Sequence, residues 1–315
     1  MATIIASISS TPALSAEGGG RDICLDSSGR LWAVYSKIPA GLIRQQIYVA
    51  YSDDNGATWT EERVTTGYNG YHHFFPAIAA DGFNAIHIVY QSSGRAPFAT
   101  RYGVFYRRRT IGGWDSEETV ALLDVANPGQ DYPTICVDTP GDVYIAWDGL
   151  GWGSNPGILN IKFRSKVAGV WQAVESVTDK AQAQMCVSMG MDSFGGVHLA
   201  WEGTGWGSFP AKKQIAYGHG QTAWFTENVT DENQGHYYGR IAIDSNDKPH
   251  VIYADDGPHT WYMNKTGILW SAKEQVSPDT VTSSMYPTIS LDKAGSVHAA
   301  WSSYGGGLSD SYLNL

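Results

Sequence analysis

Six times along this chain an apolar run ends in an aspartate, and a large aromatic stands nine residues further on. The aspartates are Asp26, Asp81, Asp138, Asp192, Asp244 and Asp292, and the aromatics are Tyr35, Tyr90, Trp147, Trp201, Tyr253 and Trp301. Six residues after each aspartate comes Trp32, His87, Tyr144, His198, His250 or His298. Successive aspartates are 55, 57, 54, 52 and 48 residues apart, and the stretches after Asp292 and up to Asp26 together make 49. The two ends therefore add up to one more repeat, as a ring of equivalent units requires.

Each repeat carries four strand signals. The first and innermost ends at the aspartate and alternates large apolar residues with small ones: Cys24, Ala79, Cys136, Gly190, Ala242 and Ser290. Period-two alternation is the strand signature. The second strand ends at the aromatic, the third holds Tyr51, Tyr106, Phe163, Tyr217, Tyr262 or Tyr312, and the fourth follows a Trp in five repeats. The sixth repeat ends after its third strand, and residues 3–8, Thr-Ile-Ile-Ala-Ser-Ile, supply the missing one. The expectation is an all-β, six-bladed β-propeller with four-stranded blades, the N-terminal strand completing the last. It forms one domain over 1–315, with blades at about 18–67, 68–125, 126–179, 180–231, 232–279 and 280–315 plus 1–10. Closure of this kind hides the edge strands that open blades leave unpaired.

Composition agrees and narrows the function. Charged residues make up only 17%, against 36 Gly, 12 Trp and 18 Tyr, which suits strands joined by tight turns. The net charge of −10 is the wrong sign for a protein that tracks phosphates, so no nucleic-acid partner is expected. No apolar run is long enough for membrane insertion. Met1–Ala16 lacks the basic start of a signal peptide, and three cysteines make no disulfide framework. Synthesis in a reducing cytoplasm is expected, with the final location, virion or extracellular space included, left open.

Ser52-Asp53-Asp54-Asn55-Gly56-Ala57-Thr58-Trp59 fits the pattern S-x-D-x-G-x-T-W. It resembles the Asp-box of the bacterial neuraminidase repeat found in sialidases and other propellers. The resemblance implies a sialidase-like fold over practically the whole chain, with Asp54 stabilising a turn on the face away from any pocket. It does not extend to a sialidase site. Three arginines grip the substrate carboxylate in that family, whereas here Arg21 heads Arg21-Asp22-Ile23, Arg240 is one residue out of register, and no third arginine has a recognisable context.

Candidate functional residues lie where the repeat is broken. Loops entering the innermost strands bring His72, His73, Phe75, Gln130, Asp131, Tyr132, Cys186, His236, Tyr238 and Tyr286 to one face; Phe75, Tyr132, Tyr238 and Tyr286 share one register. Loops leaving the second strands include two near copies, Trp147-Asp148-Gly149-Leu150-Gly151-Trp152 and Trp201-Glu202-Gly203-Thr204-Gly205-Trp206. Aromatic faces stack on sugar rings, and carboxylates and Tyr hydroxyls bind sugar hydroxyls. The expected ligand contacts are Arg21, His73, Phe75, Tyr132, Trp152, Trp206, Tyr238, Arg240 and Tyr286. The same aromatics also suit plain packing. The recurrent His87, His198, His250 and His298 read as structural, no His/Cys spacing suggests a metal, and no cofactor is expected.

Three classes remain. A non-catalytic glycan-binding or adhesion propeller comes first, needing only that aromatic and polar face. A glycoside hydrolase would use Asp131, Asp148 and Glu202, and a polysaccharide lyase would use Tyr238 with His236 or His73. An assembly protein with protein partners, such as a bacteriophage appendage, is the third.

Overall fold

The structure, a computed structural model, describes residues 20, 22–67, 69–93, 102–121, 129–221, 223–292, 294–304 and 311–314. The strand expected over residues 3–8 lies outside them, as does Arg21. The described residues are all strand, turn and loop, with no helix.

The described residues form six antiparallel sheets, one after another in chain order. The first holds β1 (Ile23–Leu25), β2 (Leu31–Lys37), β3 (Gln46–Ser52) and β4 (Thr60–Arg63). The second holds β5 (His72–Ala80), β6 (Ile86–Ser93), β7 (Tyr102–Thr110), β8 (Gly113–Trp114) and β9 (Glu118–Ala121). The third holds β10 (Gln130–Val137), β11 (Val143–Gly149), β12 (Asn160–Val167), β13 (Val170–Trp171) and β14 (Glu175–Ser176). The fourth has β15 (Gln184–Met191), β16 (Val197–Gly203), β17 (Gln214–Gly220) and β18 (Phe225–Asn228). The fifth has β19 (His236–Ile243), β20 (Pro249–Asp255), β21 (Thr260–Thr266), β22 (Leu269–Trp270) and β23 (Glu274–Gln275). The sixth has β24 (Ser283–Leu291), β25 (Val297–Tyr304) and β26 (Ser311–Asn314).

The chain divides into two compact units: Met1–Gly157 with Lys162–Ser176, and Ile158–Ile161 with Val177–Leu315. In the first unit the core fills the spaces between consecutive sheets. Trp32, Val34, Val49, Ile78, Ile88 and Tyr90 join sheets one and two; Val89, Tyr106, Ile135, Ile145 and Trp147 join two and three. In the second unit Tyr217, Ile241, Val251 and Tyr253 join sheets four and five, and Ile252, Tyr262, Ile289 and Trp301 join five and six. Burying one such side chain is worth about 1.5–3 kcal/mol.

The six-residue offset has a direct cause. In each repeat Oδ1 of the aspartate accepts backbone N–H groups of the hairpin that follows, as Asp81 does from Phe83 and Ala85 and Asp244 from Asn246 and Lys248. Oδ2 meets the ring six residues on: Trp32, His87, Tyr144, His198, His250 or His298. That ring lies directly across the strand pair from the small residue, so Cys24 faces Trp32, Ala79 faces His87 and Gly190 faces His198. At Gly190 even a Cβ would stand 2.8 Å from Ile243 Cγ1 of the next sheet, which is why this position stays small. His87, His198 and His250 also contact a Tyr hydroxyl through Nδ1, at 2.7, 2.7 and 2.6 Å. Burial holds all three imidazoles below their ordinary pKa, outweighing the neighbouring aspartates.

Candidate functional site

The first strand of every sheet from the second to the sixth is bulged at the same place. The register slips between Phe74 and Ala77, Asp131 and Thr134, Met185 and Ser188, Tyr237 and Arg240, and Met285 and Thr288. One residue in each bulge is left-handed: Phe75 (φ 45°), Tyr132 (50°), Cys186 (59°), Tyr238 (56°) and Tyr286 (52°). None is glycine, and Phe75, Tyr132 and Tyr286 precede proline, which further disfavours departure from extended backbone. Such a conformation costs on the order of 1–3 kcal/mol per residue. Bulges re-aim side chains, and here all five bulge residues stay half-buried at the start of their strand. Gly20 holds the equivalent position in the first repeat; a Cβ there would lie 2.4 Å from Ala77 Cβ.

In the first unit the Phe75 and Tyr132 rings meet at 4.5 Å between centroids. Beside them Asp131, half-buried, accepts a 2.7 Å hydrogen bond from the Gln91 side-chain amide. Burial outweighs that bond and pushes the Asp131 carboxyl up to about 6. Asp148 is its cross-strand partner but is almost fully buried. Trp152, half-buried and also left-handed at φ 50°, packs edge-on to Trp147 with centroids 6.5 Å apart.

The second unit gathers a different set. Tyr238 and Tyr286 meet at 4.6 Å between ring centroids, and their hydroxyls are hydrogen-bonded. Burial, that hydrogen bond and the nearby anionic groups raise the Tyr238 hydroxyl above its usual range, so it stays protonated. Glu202, 3% exposed, accepts the Tyr238 backbone N–H at 2.7 Å and forms a 2.6 Å ion pair with Lys213. Burial alone would lower the Lys213 pKa; the Glu202 carboxylate reverses this and raises it. Lys213 also lies 5.1 Å above the Tyr237 ring.

Several expected contacts are not presented to solvent. His73 and His236 are fully buried, edge-on to Tyr90 and Tyr253. Arg240 is buried, with Nη1 donating to the Gly239 carbonyl at 3.2 Å. Trp206 is 7% exposed, and its indole N–H donates to Gln184 Oε1 at 2.6 Å, an acceptor shared with Trp201 at 3.0 Å.

The near-copied loops follow from this packing. Trp147 likewise donates to Gln130, and a Cβ on Gly149 or Gly203 would collide with Gln130 or Gln184 Oε1 at 2.2 or 2.1 Å. The Trp-acid-Gly pattern thus builds a Gln–Trp clasp. Sequence reasoning did not single out Gln91 or Lys213, which act across strands and leave no local spacing. Cys186 was legible only as a register position.

No protein-family model and no curated protein matches the chain. Solved structures do. An α-L-arabinanase of Penicillium chrysogenum, complexed with arabinobiose, aligns at TM-score 0.64 and 12% identity over 99% of this chain and 97% of that one. A sialidase of Streptococcus pneumoniae aligns at 0.63 and 11%, over 99% and 70%. An ulvan lyase, a polysaccharide lyase bound to a GlcA–Rha3S unit, aligns at 0.60 and 13%, over 95% and 85%. At these identities the likeness is one of fold alone, an all-β propeller fold of the sialidase-like type.

Proposed function

We propose that this chain cleaves a polysaccharide at the bulged ends of β5 and β10 in its first unit, with Asp131 as proton donor. The observation that carries the reading is the Asp131 carboxyl, raised to about 6 one residue before the Tyr132 ring that packs on Phe75. A carboxyl that keeps its proton up to about pH 6 is matched to protonating a leaving glycosidic oxygen in mildly acidic solution. The adjoining rings give a sugar's C–H face an apolar wall. Similarity of fold to an arabinanase, a sialidase and an ulvan lyase supports a carbohydrate ligand. With the proposal goes the six-bladed ring expected from the repeat, closed by residues 3–8 on the sixth sheet.

One observation favours a second reading, a glycan-binding module without turnover. Glu202, buried, is committed to Lys213 and to the Tyr238 N–H, so it steadies the Tyr238–Tyr286 ring pair as a fixed surface and is not free to act as a nucleophile. Incubation with a panel of neutral and uronate-containing polysaccharides separates the two. Reducing ends without unsaturation mark a hydrolase, and unsaturated uronate marks a lyase. Retention on an immobilised glycan without either product marks the binder and removes the proposed cleavage.

A further inference from the structure

At the far end of the fourth sheet from its bulge, the recurrent Asp–His–Tyr trio gains a fourth member. Asp192 Oδ2 lies 3.1 Å from His198 Nε2, whose Nδ1 is 2.7 Å from the Tyr217 hydroxyl. His219 stands directly across from His198 on β17 and brings Nε2 to 3.7 Å from the same Asp192 oxygen. One ligating atom from each of the three residues lies within 4.8 Å of the others. Among the described residues the sister trios have no such third ligand: Arg108 faces His87, and Asn264 faces His250.

A second feature is confined to the same repeat. Four residues after the aspartate the other repeats carry Arg30, Ala85, Asp142, Lys248 and Ser296; here the residue is Gly196. A Cβ at Gly196 would stand 2.3 Å from Asp192 Oδ2 and 3.0 Å from His219 Nε2. The one repeat with the extra histidine is the one whose cradle is left clear.

We propose that Asp192, His198 and His219 bind a divalent first-row transition metal ion of the zinc class. Two imidazole nitrogens and one carboxylate oxygen suit Zn²⁺, Co²⁺ or Ni²⁺, whereas Mg²⁺ and Ca²⁺ take oxygen sets. The Tyr217 hydroxyl acts one shell out. With His198 Nε2 turned to the ion, Nδ1–H donates to the Tyr217 oxygen, which fixes tautomer and ring orientation. His219, 46% exposed, leaves the site open to solvent. The ion would tie the β15–β16 hairpin to β17, so binding stabilises the fold by mass action. No local motif announces the site, because His198 and His219 meet only across a strand pair.

The test is calorimetric titration of tag-free, metal-stripped protein with Zn²⁺, paired with melting curves. Wild type is expected to bind one ion per chain saturably and to melt higher with Zn²⁺. His219→Asn, at a position exposed enough to spare the apo fold, is expected to weaken that site at least ~10-fold. Gly196→Ala is expected to do the same by filling the cradle, and His259→Asn, whose Nδ1 lies 3.7 Å from Asp255 in the fifth sheet, to leave it unchanged. A wild type with no saturable site, or equal affinity and stoichiometry in His219→Asn, overturns the proposal.

Discussion

The Gln91 side-chain amide donates a 2.7 Å hydrogen bond to Oδ1 of Asp131, reaching from β6 of one sheet to the bulge of the next. That bond favours the ionised carboxylate, yet burial prevails and the carboxyl sits at about 6 instead of 3.8. The folded protein therefore holds this proton more tightly than the unfolded chain. The stabilisation is complete below about pH 4 and is lost as pH rises through 6, where the ionised group becomes a liability.

Asp131→Asn keeps the Oδ1 acceptor and removes the charge. Its melting temperature should match wild type near pH ~4 and exceed it above pH ~7, by the equivalent of about 2–3 kcal/mol. Melting curves across that range check this; parallel profiles for the two proteins would show that Asp131 is not strained.

At Cys186 the left-handed backbone reverses the usual ranking of small residues. Glycine normally costs about 0.5–1 kcal/mol relative to alanine in a strand. Here Cys186→Gly should be more stable than Cys186→Ala by about 1 kcal/mol, since only glycine adopts φ near 59° freely. Urea midpoints decide it, and an alanine variant at least as stable as the glycine one would mean the bulge relaxes in solution.

The two duplicated-loop tryptophans should separate cleanly. Trp206 is buried and bonded to Gln184, so Trp206→Ala should cost about 3–5 kcal/mol. Trp152 is only half-buried, so Trp152→Ala should cost clearly less. Equal losses in denaturant titrations would contradict the different packing of the two rings.

Glu202 and Lys213 should be strongly coupled. Lys213→Met leaves the Glu202 carboxylate, 3% exposed, with no counter-charge; a loss of about 2–4 kcal/mol is expected, the lower end reflecting the 31% exposure of Lys213. Lys213→Met with Glu202→Gln should recover much of it. A double-mutant cycle that closes to additivity would rule out the ion pair as a stabilising contact.

The sequence disclosed the repeat because the aspartate cap and its ring partner are local: Asp192 and His198 lie six residues apart on one hairpin, and that offset survives in every repeat. The shared register of Phe75, Tyr132, Tyr238 and Tyr286 was equally visible, though nothing in their identity announces a positive φ. Burial was not visible. His73 and His236 read as surface chemistry but pack under Tyr90 and Tyr253. Trp206 read as a sugar platform but completes the Gln184 clasp. Contacts between distant strands, such as Gln91 with Asp131 or Lys213 with Glu202, depend on how the sheets register, which spacing along the chain does not encode.

The pH dependence of kcat/KM on whichever panel polysaccharide is cleaved probes the role of Asp131 most directly. Turnover should fall as pH rises through an apparent pKa near 6, as the donor loses its proton. Asp131→Asn should lose that limb together with ~100-fold or more of the activity. Undiminished turnover in Asp131→Asn, or no product from any polysaccharide at any pH, would contradict the assignment.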